Sequence, residues 1–179
     1  KQENIFGSGN YLGIDVNTSK LNRTAVLTTI DPYFTQDGVS RTLDAYYRTT
    51  RPTSAVDSDY SLLTIGSSLK FGLPISPTDT IYLGGGIERN KIVNGTNLPQ
   101  VYKDYADQFG SISDSVPLTI GWSRDDRDSA LTPNSGKLQR LAAEWSPAGD
   151  VKYVKAVAQY QQYIPLNKQF TLAFNGEVN

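Results

Sequence analysis

Apolar and polar side chains alternate with a period of two along most of this sequence. Between Leu63 and Leu73 large apolar residues fill most odd positions, while Thr, Gly, Ser and Lys lie between them. The alternation recurs over Ile81–Glu88 and Phe170–Glu177. A strand of this period has one apolar and one polar face. Repeated along a chain rich in Gly, Ser and Thr, it predicts an all-β, antiparallel transmembrane β-barrel, apolar toward lipid and polar toward a lumen.

Extending the alternation strand by strand assigns candidate residues to each face. The residues predicted to face lipid are Leu63, Ile65, Leu69, Phe71, Leu83, Ile87, Leu118, Ile120, Phe170 and Leu172. The residues predicted to face the lumen are Asp15, Asp44, Lys70, Glu88, Arg140, Glu144, Lys155 and Glu177. Arg41, Arg124 and Lys152 have the apolar parity but lie near strand ends, where long side chains can reach water. The pattern of Arg23–Ile30 leaves the apolar face of that strand undecided.

Composition excludes several classes of protein. No run of about 18 apolar residues occurs, so no transmembrane helix is predicted, whereas barrel strands need only about 9–11 residues each. The net charge of −1 gives no basic patch for nucleic acid. The absence of Cys excludes a disulfide framework. With no Met and no signal peptide, we expect the chain to be a mature protein or a fragment.

Nine strands are predicted, together with a short helix within Leu98–Phe109. The strands are Tyr11–Thr18, Arg23–Ile30, Val39–Thr50, Tyr60–Leu73, Thr80–Asn90, Val116–Arg124, Lys137–Trp145, Val151–Tyr163 and Gln169–Glu177, and Lys1–Phe6 resembles the tail of an earlier one. Tight connections rich in Pro, Gly and Asp alternate with looser or longer ones, above all Lys91–Ser115. Hairpins crossing a bilayer show this alternation, although Asp125–Ser135 is long for a periplasmic turn.

No candidate catalytic, cofactor or metal site emerges. Without His and Cys, the common nucleophile–base pairs and imidazole or thiolate metal sites are absent, and no enzyme activity is predicted. The carboxylates of Asp125, Asp126 and Asp128 lack EF-hand spacing, and a solvated turn beside Arg124 and Arg127 explains them better. The triplet Gly84–Gly86 lies inside a strand with no following helix, which excludes a phosphate loop.

Five stretches carry a family resemblance. They are Asn4–Asn10, Asp31–Ser40, Gly72–Ile75, the pair Gly121-Trp122, and Tyr163–Leu166. In order and spacing the chain resembles the barrel of the BamA family of outer-membrane protein assembly factors. The run Asp31–Ser40 is the most specific and resembles the family's periplasmic turn, with a Pro-Tyr-Phe entry and an Asp-Gly exit.

The resemblance implies a barrel of about sixteen strands, preceded by periplasmic POTRA domains, that folds and inserts other barrel proteins without covalent chemistry. Residues 1–179 are expected to form nine to ten strands of it, without the POTRA domains, the first and last strands or the loop with an Arg-Gly-Phe motif. Gate residues therefore cannot be placed. The implied partners are nascent outer-membrane proteins, accessory lipoproteins of the BAM complex, membrane lipid and lipopolysaccharide, in the outer membrane of Gram-negative bacteria.

Three alternatives stay open at this point. A passive pore or two-partner-secretion barrel would conduct ions or export a client. A TamA-type barrel would differ in its POTRA count. The aromatic residues Phe71, Phe170, Tyr47, Trp122 and Trp145 lie where aromatic girdles could form at the membrane interfaces. A soluble β-sandwich would instead use them in a protein core.

Overall fold

The computed structural model describes residues 9–51, 60–93, 99–167 and 170–179. They form one antiparallel sheet and one helix. The elements are β1 (Tyr11–Thr18), β2 (Asn22–Asp31), β3 (Ser40–Thr50), β4 (Ser61–Pro74), β5 (Asp79–Val93), α1 (Gln100–Phe109), β6 (Ile112–Ser115), β7 (Leu118–Asp125), β8 (Gly136–Ser146), β9 (Tyr153–Pro165) and β10 (Thr171–Val178). The strand tail predicted at Lys1–Phe6 lies outside the described residues.

The sheet is a simple meander in which neighbours in sequence are neighbours in space, in the order β1-β2-β3-β4-β5-β7-β8-β9-β10. Strand β6 also pairs with β5 and continues the register of β7, since Arg89 pairs with Asp114 and Leu83 with Ile120. Pro117 separates the two strands because it has no N–H to donate, although its carbonyl still accepts from the Gly86 N–H at 2.8 Å. The sheet therefore has nine positions across, and the predicted antiparallel β fold is confirmed.

The predicted strand ends agree with the structure to within three residues, but the connection Lys91–Ser115 was predicted wrongly. Strand β5 continues to Val93, because Lys91, Ile92 and Val93 pair with the first residues of β4. The helix lies inside its predicted range. Strand β6 was missed because its sequence, Ile-Ser-Asp-Ser, is short and mostly polar, and only pairing with the extended β5 makes it a strand.

The connections divide between the two ends of the sheet. We call the end with the β2–β3, β4–β5, β7–β8 and β9–β10 connections the turn end, and the opposite end the loop end. At the turn end, the Tyr33 N–H donates to Asp31 Oδ1 at 3.2 Å, and Gly38 adopts φ +81°. Asp and Gly suit these roles because Asp bonds its own backbone and Gly tolerates positive φ.

The register decides the strand that the sequence left open. Thr28 pairs with Asp44 and donates its hydroxyl to Asp44 Oδ1 at 2.7 Å. Val26 and Ile30 therefore share the face of Asp44, while Leu27 lies on the opposite face and is exposed. No helix within the described residues is long and apolar enough to cross a bilayer.

Candidate functional site: the two faces of the sheet

All eight side chains predicted to face the lumen lie on one face of the sheet, which we call the polar face. Directly paired residues of an antiparallel sheet point to the same side, so all residues in a row that runs across the paired strands lie on one face of the sheet. One row joins Asp15 to Glu88, another joins Lys70 to Glu144 and Lys155, and a third joins Arg140 to Glu177. Asp44 shares the polar face through its pairing with Ser68. That this face lines a water-filled lumen stays a prediction.

A tyrosine that the sequence did not single out organises the polar face around Glu88. The Tyr46 side chain crosses Gly66 of the neighbouring strand, and its hydroxyl donates to Glu88 Oε2 at 2.7 Å. A Cβ on Gly66 would lie 2.5 Å from the Tyr46 hydroxyl, so only glycine leaves room for this crossing. Asn90 donates to Glu88 Oε1 at 2.9 Å and accepts from the Thr64 hydroxyl at 2.7 Å. A Tyr opposite a Gly on the polar parity is the pattern that could have revealed this contact.

A second cluster on the polar face surrounds Glu144. Its Oε1 accepts from the Tyr153 hydroxyl at 2.8 Å and from Lys155 Nζ at 3.3 Å. The ammonium of Lys155 also lies 4.3 Å from the centre of the Tyr153 ring. Within the described residues, Asp15, Lys70, Arg140 and Glu177 have no side-chain hydrogen bond or ion pair. These contacts fix side chains in place but supply no nucleophile–base pair.

The predicted lipid-facing residues that lie in strands share the opposite face, which we call the apolar face. Phe71 pairs with Leu83, which pairs in turn with Ile120, and Leu69 lies two residues before Phe71 on the same side of β4. Phe170 lies in the turn just before β10 and is exposed. Leu63 and Phe71 are half-buried, and the other eight are exposed, with Ile87 63 % and Ile120 58 % accessible. An exposed apolar surface of this extent is typical of a membrane or protein contact.

Charged side chains bracket the apolar face at a separation that matches a bilayer. On β5, Asp79 and Arg89 lie on the apolar parity, and Ile81, Leu83, Gly85 and Ile87 are the residues of that parity between them. Ten residues at about 3.4 Å each span about 34 Å along the strand. With the strand tilt of about 40° usual in barrels, this becomes about 26 Å along the barrel axis. The apolar band of an outer-membrane barrel is about 25 Å tall.

Charged residues lie at both the turn-end and the loop-end rim of the apolar face, and only some of them were predicted from the sequence. At the turn end, Arg41 lies 3.7 Å from Asp31 and over the ring of Phe34, while Arg124 pairs across from Asp79. At the loop end, Arg89 binds Asp114 with two hydrogen bonds of 2.7 Å. Arg89 and Lys91 have the same apolar parity but were not singled out from the sequence, and Lys91 lies beyond the predicted strand end at Asn90.

Aromatic side chains also gather near the two rims of the apolar face. Trp122 and Phe71 lie toward the turn end, where the Trp122 indole N–H donates to Asp79 Oδ1 at 3.2 Å. Tyr47 and Trp145 lie toward the loop end and are 45 % and 54 % exposed. Aromatic rings with a polar tip favour the level of lipid headgroups, so both groups suit the predicted girdles.

Helix α1 packs on the polar face at the loop end. Tyr105 shares a 2.7 Å hydrogen bond with Ser113, and the Tyr102 ring packs against the Tyr60 ring at a tilt of 48° with ring centres 5.1 Å apart. Ser113 pairs with Asn90, which places this contact on the polar parity. The buried Ile92 also has the polar parity, because the helix covers that face here. This explains why β5 ends in two adjacent apolar residues, Ile92 and Val93, that break its alternation.

The aspartates between β7 and β8 stabilise the turn itself. Asp125 binds Arg127 through two hydrogen bonds of 2.8 Å, and this carboxylate raises the pKa of the Arg127 guanidinium. Asp128 accepts from the backbone N–H groups of Asn134 and Ser135 at 2.9 and 3.1 Å, which lowers the pKa of its carboxyl group. Among the described residues, no three acidic side chains lie close enough to hold a metal ion. Asp125 and Asp128 therefore hold the backbone of this turn in place.

Comparison with known proteins gives consistent matches. The sequence pattern of the Omp85 superfamily domain matches residues 4–179. The outer membrane protein assembly factor BamA of Neisseria meningitidis serogroup B is 31 % identical over 188 residues, covering 99 % of this chain and 24 % of that protein. The BamA of Nitratidesulfovibrio vulgaris is 24 % identical over 165 residues, covering 90 % of this chain and 20 % of that protein.

A solved structure supports the fold. The crystal structure of BamA from Haemophilus ducreyi lacking POTRA domains 1–3 superposes with a TM-score of 0.81 at 24 % identity, covering 98 % of this chain and 36 % of that one. The ten-stranded sheet is therefore part of a barrel of this kind. The chain spans about a quarter or less of the length of the curated relatives it matches.

Proposed function

Because this chain belongs to the Omp85 superfamily, we propose that it forms part of the outer-membrane machinery that folds and inserts β-barrel proteins. Two relatives that match 90 % or more of the chain are named as assembly factors of outer-membrane proteins. The observation that carries the proposal is the exposed apolar face, about 26 Å tall between charged rims, on a sheet that superposes on a BamA barrel. In this proposal the apolar face contacts lipid and the polar face lines the lumen.

The segment acts as one wall of a larger barrel. Within the described residues, β1 and β10 each pair on one side, which leaves two rows of backbone groups without sheet partners. In hydrocarbon each unsatisfied group costs several kcal/mol, so further strands must complete the wall. We expect about sixteen strands in all and POTRA domains elsewhere in the full protein.

The wall contributes shape and charge rather than covalent catalysis. The sequence has no His and no Cys, and on the polar face the carboxylates of Glu88 and Glu144 bind Tyr, Asn and Lys side chains. The partners that fit are nascent outer-membrane proteins, accessory lipoproteins, membrane lipid and lipopolysaccharide. The nascent proteins would engage at strand edges, where unpaired backbone groups can accept an added strand.

Reconstitution tests this function directly. The full-length protein in proteoliposomes is expected to speed the folding of an unfolded client barrel, measured by its acquired protease resistance, relative to empty liposomes. Ion conductance measured on the same vesicles provides the comparison. High conductance with no gain in client folding would contradict the proposal and favour a passive pore or an export barrel.

A further inference from the structure

A small cationic cavity opens on the apolar face at the loop end, and we call it the rim pocket. It measures about 220 Å³ and is lined by Lys20, Leu21, Arg23, Tyr47, Thr49, Arg51, Ser61, Leu63 and Val93. We propose that the rim pocket binds the phosphorylated headgroup of an outer-leaflet lipid, of which lipid A, the anchor of lipopolysaccharide, is an example.

Sheet pairing builds the rim pocket and fixes its face. Arg23 pairs with Thr49, which pairs with Leu63, so all three point to the apolar side. The Arg51 N–H donates to the Leu21 carbonyl at 2.7 Å, which draws the end of β3 against the β1–β2 turn. Lys91 pairs with Leu63 and adds a fourth cation to the same row.

Within the part of the chain that the structure describes, the cations of the rim pocket have no acidic partner. No carboxylate is among the described residues that line the cavity, and none of those described forms an ion pair with Lys20, Arg23 or Arg51. At the turn end the charges are balanced instead, since Arg41 lies 3.7 Å from Asp31 and Arg124 pairs across from Asp79. Guanidinium groups bind phosphate with paired hydrogen bonds, and a cation at a membrane surface attracts anionic headgroups.

The lower wall of the rim pocket suits acyl chains. Leu63 and Tyr47 line it, and the exposed side chains of Ile65 and Leu43 continue the apolar surface toward the middle of the band. A ligand with a phosphate at one end and hydrocarbon at the other would satisfy both parts together. A soluble phosphate would leave the apolar wall uncovered, which is why a lipid is the proposed occupant.

The proposal rests on the proposed function, because it needs the apolar face to contact the outer leaflet. The test uses the full-length protein in nanodiscs and measures its affinity for bisphosphorylated lipid A. Two comparisons accompany it: the same lipid after removal of its phosphates, and inorganic phosphate as a competitor. The principal variant is the double substitution Arg23→Gln/Arg51→Gln, with Lys20→Gln/Arg51→Gln as a second variant.

Each lost cation should weaken binding about fivefold, and each double variant about 30-fold. Arg48→Gln is the matched control, because Arg48 lies near the same end of β3 but has the polar parity. This variant should bind the lipid as tightly as the wild type. Dephosphorylated lipid should bind wild type and double variants alike. Wild-type affinity in both double variants, or displacement of the lipid by inorganic phosphate at equal concentration, would overturn the proposal.

A photo-crosslinking residue at position 69 separates the two levels of failure. Leu69 lies within the apolar band, away from the cations, and is 38 % exposed. Crosslinks to lipid without a phosphate preference at the rim pocket would refute the pocket alone. Absence of any lipid crosslink would refute the outward orientation, and with it the proposed function.

Discussion

Two neighbouring residues on β7 give the sharpest test of which face contacts lipid. Ile120 lies on the apolar face and pairs with Leu83, whereas Thr119 lies on the polar face and pairs with Gly84. Leu83 is four residues from Asp79 and six from Arg89, which places it about 3 Å from the middle of the band when the rise and tilt are applied. The two positions therefore differ in face and hardly at all in depth.

We expect Ile120→Arg to destabilise the barrel and Thr119→Arg to be tolerated. An Arg facing lipid near the midplane costs about 2–4 kcal/mol, which lowers the folding equilibrium constant about 30- to 900-fold. An Arg at position 119 would point along the polar face beside Glu144, its partner across the sheet. A cross-strand pair of opposite charge contributes about 0.2–1 kcal/mol in favour of folding.

Guanidine titration of the full-length protein in lipid vesicles measures both free energies of unfolding. Band shifts of unheated samples on electrophoresis give a second measure of the folded fraction. Ile120→Ala is the control for lost apolar contact, since it removes the side chain without adding charge. A larger loss of stability for Thr119→Arg than for Ile120→Arg would mean that the faces are reversed and would refute the assignment.

Four further changes test individual contacts. Tyr46→Phe removes the hydrogen bond to Glu88 and should cost about 1.5–3 kcal/mol in guanidine titration, whereas Tyr47→Phe on the opposite face should cost much less; equal losses would contradict the role of that bond. Gly66→Ala should cost about 1–3 kcal/mol because the new Cβ would lie 2.5 Å from the Tyr46 hydroxyl and 2.9 Å from the Ile87 carbonyl oxygen, and a Tyr46→Ala background should remove the part of this cost that comes from Tyr46, which a double-mutant cycle measures. Tyr105→Phe breaks the bond to Ser113 and should speed proteolysis within α1 while leaving the sheet protected; unchanged cleavage would show that the bond does not hold the helix. The pKa of the Asp128 carboxyl is lower in the folded turn than in the unfolded chain, so the carboxylate stabilises the turn above the ordinary pKa of about 3.9, and this stabilisation is lost as the pH falls through the folded pKa. Hydrogen exchange at the Asn134 and Ser135 amides, corrected for intrinsic rates, should therefore accelerate only in that acid range. The variant Asp128→Asn should abolish this acid dependence.

The alternation of side chains allowed the strands and their antiparallel order to be predicted. Leu63 to Leu73 and Ile81 to Glu88 each have a clear apolar parity, and short turns join the hairpins at one end. Prediction failed where the pattern was locally weak. Strand β6 is mostly polar, and β5 continues to Val93 only because β4 offers it backbone partners.

Contacts between strands were less accessible to prediction. The sequence identifies Glu88 as a polar-face acid, but the crossing of Tyr46 over Gly66 depends on the pairing of three strands. The rim pocket likewise joins the β1–β2 turn to the ends of β2, β3, β4 and β5. Residues so far apart in sequence meet only through the register of the sheet, and a shift of one residue would move every side chain to the other face.

The amino-acid sequence alone determined that this protein has two chemically opposite surfaces, because a strand sends successive side chains to opposite sides whatever its neighbours are. Tertiary structure decided the rest. Register set Leu27 rather than Val26 on the apolar face and joined the cations of the rim pocket, and the packing of α1 covered Ile92. The physical reason is that hydrogen bonding between strands selects one alignment among several that the same alternation permits.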